Sequence, residues 1–183
     1  GALALSLKSQ GALQGDTLVS TVMSNLGLER KLEAEGIQLI RTQVGDRYVV
    51  EAMREGSFNL GGEQSGHIVL SDYSRTGDGL LAGLQVLKLL KDSGKKASEA
   101  LRIFEPVPQL LRNVTFKNGS PLEETTVQDA IKQAEETLSN DGRVLVRASG
   151  TEPVIRVMAE GDDAAKIESV VSDICTAVEK ASV

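Results

Sequence analysis

Tryptophan is absent from the 183 residues, and aromatic side chains make up only 3% of them. Any core must therefore be assembled from Leu, Val, Ile and Ala, which the 40% apolar content supplies. Cys175 is the single cysteine, so no internal disulfide can form. It falls on the apolar face of a helical pattern, where a buried, inert thiol is expected, and this fits a reducing cytoplasm. His67 is the single histidine, and alone it makes no metal site. No apolar run approaches the ~20 residues of a membrane span. No signal-peptide pattern follows Gly1, and the missing initiator Met leads us to expect a piece of a longer protein. An excess of basic residues is lacking too: 20 Lys and Arg stand against 26 Asp and Glu, a formal net charge of −6. That argues against nucleic acid or an anionic membrane as the main partner. A phosphate site here must be a local basic spot in an acidic chain.

What is present alternates between helix and strand patterns. Residues 2–8 have helical spacing, 17–22 read as a strand, 27–35 as a short helix with Gly36 at C′, and 37–42 as a second strand. Gly45-Asp46 opens a further helix with Tyr48, Val49, Ala52 and Met53 on one face and Asp46 as its N-cap. Residues 58–60 and 67–70 are short strand-like runs. Asp78 caps a strong helix whose apolar face is Leu80, Leu81, Leu84, Leu87 and Leu90. This order predicts a mixed-sheet α/β domain over residues 1–104. Glu105-Pro-Val-Pro108 cannot continue a helix, so residues 105–109 read as a linker. Residues 110–183 read as a small α+β domain, an antiparallel sheet with two helices on one face: strand 110–116, helix 127–138, two strands, and a final helix carrying Ile167, Val170, Val171, Ile174 and Val178. Thr125-Thr-Val-Gln128 matches a capping box, and Asp162-Asp163 reads as the cap of the last helix.

The stretch richest in chemistry is Arg147-Ala-Ser-Gly-Thr-Glu-Pro-Val-Ile-Arg156. Its flanks alternate polar and apolar residues and read as strands, so it is a loop with an arginine near each strand end. Ser149 and Thr151 offer hydroxyl and N–H donors, Gly150 permits close backbone approach, and Arg147 and Arg156 bring planar donor forks that match phosphate oxygens. An ordinary hairpin loop with surface arginines is the other reading of this spacing.

Arg147 to Arg156 resembles the phosphate-binding loop of the α-D-phosphohexomutases. A second motif, Gly61-Gly-Glu-Gln-Ser-Gly-His67, lies upstream where that family carries its sugar-binding loop. This wording, like Thr21-Val-Met-Ser-Asn-Leu-Gly27, resembles the phosphoglucosamine mutases of the family most closely. The resemblance covers essentially the whole chain, as the C-terminal half of a longer enzyme. It implies the family's third and fourth domains, a sugar-phosphate substrate, an N-terminal part as partner, and a homodimer as an allowed oligomer. It also implies that Glu63 and Ser65 contact the sugar, with Gln64 and His67 beside them, and that Asp46 and Arg47 belong to a second substrate-facing loop. His67 is either a structural ring near a strand end or an aid to proton transfer.

The family's phosphoserine segment and Asp-rich Mg²⁺ loop are not found in this chain. The resemblance therefore implies Mg²⁺ and a glucosamine 1,6-bisphosphate intermediate for a longer enzyme, with no metal ligands and no nucleophile here. Ser149 is not read as a nucleophile, since no base lies near it in sequence. A phosphomannomutase or phosphoglucomutase is the alternative within the family. A non-catalytic phosphosugar-binding module is the alternative outside catalysis.

Overall fold

The computed structural model describes residues 1–117, 119–150 and 152–182. It divides into two units, Gly1–Pro106 and Val107–Val183.

In the first unit, α1 (Ala2–Ser9) leads to β1 (Thr17–Thr21), followed by α2 (Leu26–Ala34), β2 (Gln38–Thr42), α3 (Asp46–Gly56), β3 (Leu60–Gly62) and β4 (Ile68–Leu70). The strands lie in the order β2-β1-β3-β4, the first three parallel and β4 antiparallel to β3. β1 is buried along its whole length, as a central parallel strand covered on both faces must be. Successive side chains of a strand point to opposite faces. Accordingly Leu18 joins Ala4, Leu32, Ile37, Leu60 and Leu70 in one core, while Val19 joins Val49, Met53 and Val69 in the other. Helix α2 starts at Asn25, whose side chain accepts from Gly27 N at 2.9 Å.

Two expectations fail in this unit. Asp46 is not the N-cap of α3. Gly45 holds that position, and Asp46, already inside the helix, accepts from Arg47 N at 2.8 Å. In α4 (Gly79–Ser93) the cap is as read, with Asp78 accepting from Leu81 N at 2.9 Å. The apolar face, however, is turned. Ala82 and Leu89 are buried, whereas Leu80, Leu84 and Leu87 are 78%, 55% and 62% exposed. Leucines lie on both sides of this helix, so periodicity gives its phase but not the side that meets α1 and β4. A short helix, α5 (Ala97–Ala100), follows.

The second unit comprises β5 (Gln109–Thr115), α6 (Thr125–Leu138), β6 (Gly142–Ala148), β7 (Val154–Gly161) and α7 (Ala164–Ala181). β5 begins inside the stretch read as linker. The sheet is antiparallel in the order β5-β7-β6. One face of it, with Ile155, Val157 and Ala159 of β7, packs against α6 and α7 through Val127, Ala134, Ile167, Val171 and Ile174. Cys175 is buried there as expected, and burial raises its thiol pKa. The capping box is not formed: α6 starts from Glu124 without a side-chain cap, and Gln128 Nε2 donates to Leu122 O. Asp163 does cap α7, accepting from Ala165 N at 2.9 Å and Lys166 N at 3.1 Å. The opposite face of β7 carries Arg156, Met158 and Glu160. Glu160 is 0% exposed and is compensated by Arg143 Nε at 2.5 Å and Gln109 Nε2 at 2.8 Å, the arrangement a buried carboxylate requires. Among the described residues no helix is long and apolar enough to cross a membrane.

Candidate functional site

Because β1, β2 and β3 are parallel, the loops that follow them leave from one edge of the sheet, the edge at which open α/β sheets receive ligands. The loop after β3 closes on itself: Glu63 N donates to His67 O at 2.8 Å and Gly66 N to Glu63 O at 3.0 Å. Gly66 takes φ +97° to do so, a conformation that side chains oppose. The Glu63 carboxylate accepts from Gly45 N at 3.0 Å through Oε1, tying this loop to the start of α3. Glu63 is half-buried, while Gln64 and Ser65 stand exposed. Beside them is a concavity of about 340 Å³ lined in part by Ser20, Ser24, Asn25, Gly62, Glu63 and Gln64. Ser20 Oγ donates to Gly62 O at 2.6 Å and lies 2.6 Å from Ser24 Oγ, so the loop after β1 is fastened to β3.

His67 lies against Gly77, where a Cβ would come within 2.3 Å of its ring. Its Nε2 is buried without a hydrogen-bond partner and lies 3.8 Å from Asp46 Oδ2, within ion-pair range but too long for a hydrogen bond. Asp46 and His67, distant in sequence, are thus brought together. Arg47 is not: its Nε donates to Glu51 Oε1 at 2.9 Å, its guanidinium lies 5.9 Å from the Tyr48 ring centroid, and its side chain is 77% exposed. It decorates the outside of α3 instead of reaching toward the loop.

In the second unit, Arg147 and Arg156 are register partners on β6 and β7. Directly opposed residues of an antiparallel pair share a face, and like charges so placed repel. Burial first, and the Arg156 charge second, lower the Arg147 pKa below its ordinary value. Arg156 Nε is buried without a partner, and its Nη2 is 3.9 Å from Glu152 Oε2. Two facing cations with so little compensation are an arrangement that an anion would stabilise. The loop between the strands is held by Ser149 N donating to Val154 O at 2.8 Å. Gly150 is exposed, with open space around it and no positive φ, so its contribution is room, not an unusual turn. Thr151 lies outside the described residues.

Sequence reasoning missed Asn113. It is the β5 partner of Arg156, so Asn113, Arg156 and Arg147 form one row across three strands on the helix-free face. Asn113 is exposed and adds an amide donor to the two guanidiniums. Nothing local marks it, because strand order β5-β7-β6 alone brings it there.

Comparison with known proteins gives a consistent likeness. Residues 1–107 match the alpha/beta/alpha domain III of the phosphoglucomutase/phosphomannomutase family, and residues 111–177 match its C-terminal domain. The phosphoglucosamine mutase of Novosphingobium aromaticivorans is 60% identical over 176 residues, 96% of this chain and 40% of that protein. That of Paracoccus denitrificans is 60% identical over 181 residues, 98% of this chain and 40% of its own. The chain thus spans about two fifths of the length of these relatives. Among solved structures, Aspergillus fumigatus N-acetylphosphoglucosamine mutase superposes with a TM-score of 0.78 at 22% identity, over 99% of this chain and 42% of that one. The same fungal enzyme in complex with GlcNAc-6P and magnesium gives 0.75 at 21%, over 100% and 43%.

Proposed function

Since this chain belongs to the phosphoglucomutase/phosphomannomutase family, through its domain III and C-terminal domain, we propose that it is the substrate-recognition part of a phosphoglucosamine mutase. The longer enzyme interconverts glucosamine 6-phosphate and glucosamine 1-phosphate through a bisphosphate intermediate, in the cytoplasm. The amino-sugar assignment is taken from the names of the relatives at 57–60% identity.

The observation that carries the reading is the Arg147–Arg156 register pair, a pair of cations whose repulsion is relieved when an anion arrives. In this reading the pair and Ser149 hold the phosphate that is not being transferred, with Gly150 and Thr151 in the same loop. Glu63 keeps its tie to Gly45 through one oxygen and offers the other to sugar hydroxyls, with Ser65 and Gln64 at the loop tip. The first unit carries the sugar loop and the second the phosphate loop. Asp46 and His67 flank the sugar loop, with Asp46 Oδ2 3.8 Å from His67 Nε2. Arg47, turned to the outside of α3 and paired with Glu51, takes no part in this reading.

Among the described residues no group of three or more His, Cys, Asp or Glu side chains is placed to hold a metal ion. The phosphoryl donor belongs to the part of the relatives that this chain does not span, so the chain alone is expected to bind without turnover.

Titration with glucosamine 6-phosphate, followed by backbone NMR, tests the reading. Amides of 63–67 and 147–156 should shift together, and glucosamine without phosphate should leave 147–156 unmoved. Shifts that avoid both loops overturn it.

A further inference from the structure

A second concavity, of about 600 Å³, lies at the other edge of the first unit's sheet. Its lining comes from the last two turns of α3, from Phe58 just before β3, and from Arg75 beyond the end of β4. Since β4 runs antiparallel to β3, its end returns to the edge from which the parallel strands start. Helix α3, 11 residues long and so about 16 Å from end to end, separates this cavity from the loop at Glu63.

Two features define its chemistry. The floor is apolar: Val50, Met53, Phe58 and Val69. Its charged lining is Arg54 and Arg75, with no Asp or Glu among the lining residues. In a chain of net charge −6 that is unusual company for two arginines. Arg41, Arg47, Arg102, Arg112 and Arg143 each pair with a carboxylate, whereas among the described residues Arg54 and Arg75 have no ion pair and no side-chain hydrogen bond. Arg147, in the candidate phosphate loop, is likewise without a carboxylate. The volume is in the range of small-molecule sites, which combine apolar walls with a few fixed polar groups.

We propose that this cavity binds a small anion with an apolar, ring-sized body, its carboxylate, sulfonate or phosphate held by Arg54 and Arg75 and its body against Met53, Phe58 and Val69. Guanidiniums supply charge-assisted, fork-shaped donors for the head group, and the floor removes the body from water. Inorganic phosphate alone lacks the body. The lining includes no residue of the sugar loop or the phosphate loop, so the proposal stands whether or not the proposed function does.

The test is an NMR titration of the 183-residue chain with naphthalene-2-sulfonate, naphthalene-2-methanol and inorganic phosphate in parallel. The sulfonate should move the signals of Val50, Met53, Phe58 and Val69. The neutral alcohol should bind about tenfold or more weakly, and Arg54→Gln with Arg75→Gln should cost a similar factor, the usual range for losing charge-assisted contacts. Both arginines are exposed, so the double variant should unfold as the parent does. Phosphate should leave the four floor residues unmoved. The proposal is overturned if the sulfonate binds elsewhere, if the alcohol binds equally well, if the double variant binds unchanged, or if sedimentation shows a dimer that the double variant breaks, which would make this face a contact between copies.

Discussion

Replacing Arg147 by Met should weaken phosphate binding and stabilise the ligand-free protein at once. Met keeps most of the length and the apolar stem of Arg and removes the guanidinium. In the folded state that guanidinium is half-buried and faces Arg156 across the strands. Burial and the second charge both disfavour its cationic form, as the lowered pKa records. Removing the charge relieves both, so the melting temperature without phosphate should rise. With phosphate the balance reverses. A charge-assisted contact contributes about 1.5–3 kcal/mol, so the dissociation constant should increase about 10- to 150-fold. Ser149→Ala, losing one neutral bond of about 0.5–1.5 kcal/mol, should cost less. The parent's affinity should fall as salt rises, because the site lies near the surface. Calorimetric titration and differential scanning calorimetry on the same samples measure both effects. A variant that melts lower and titrates unchanged would refute the reasoning, since Arg147 would then be a structural group and not a ligand-binding one.

Asn113→Ala should weaken phosphate binding about 2- to 10-fold, one neutral hydrogen bond, and Asn113→Asp should weaken it further by adding a negative charge to the row; equal effects of the two would remove Asn113 from the site. Gly77→Ala should displace His67, because the added Cβ meets the ring at 2.3 Å, and chemical shifts of Glu63 to His67 should report the movement; an unchanged spectrum would show that the backbone at residue 77 yields and the ring stays in place. Leu84→Lys with Leu87→Lys should reduce binding of a hydrophobic dye without lowering the melting temperature, since both side chains face solvent; a large destabilisation would mean that this face is packed. Cys175 has a raised thiol pKa in the folded state, so folding favours the protonated thiol. That stability is fully present below the unfolded thiol's pKa of about 8.5 and is lost as pH rises above it. Relative to Cys175→Val, the parent should lose stability only at alkaline pH, and native thiol labelling should be slow; rapid labelling at neutral pH would contradict the burial.

Several features of this protein are set by local sequence alone. The alternation in Arg143-Val-Leu-Val-Arg147 and Val154-Ile-Arg-Val-Met158 specifies two strands, and the polar, glycine-containing segment between them specifies a loop. The caps at Asn25, Asp78 and Asp163 are local as well, because a side chain reaches N–H groups only two or three residues ahead. Motif wording marked the loop that holds Glu63 and the strand end that holds Arg147. What sequence left open depends on packing between distant segments. Periodicity could not choose which leucines of α4 face the core, since both sides of that helix are apolar and only the docking against α1 and β4 decides. Asp46 was displaced from the cap because Gly45, tied to Glu63 from 18 residues away, starts the helix one residue early. Asn113 entered the arginine row through the order of three strands, and Arg54 and Arg75 met over one cavity because β4 turns back along β3. Each of these is a long-range juxtaposition, and no local pattern encodes it, because its free energy resides in contacts between segments that are far apart along the chain.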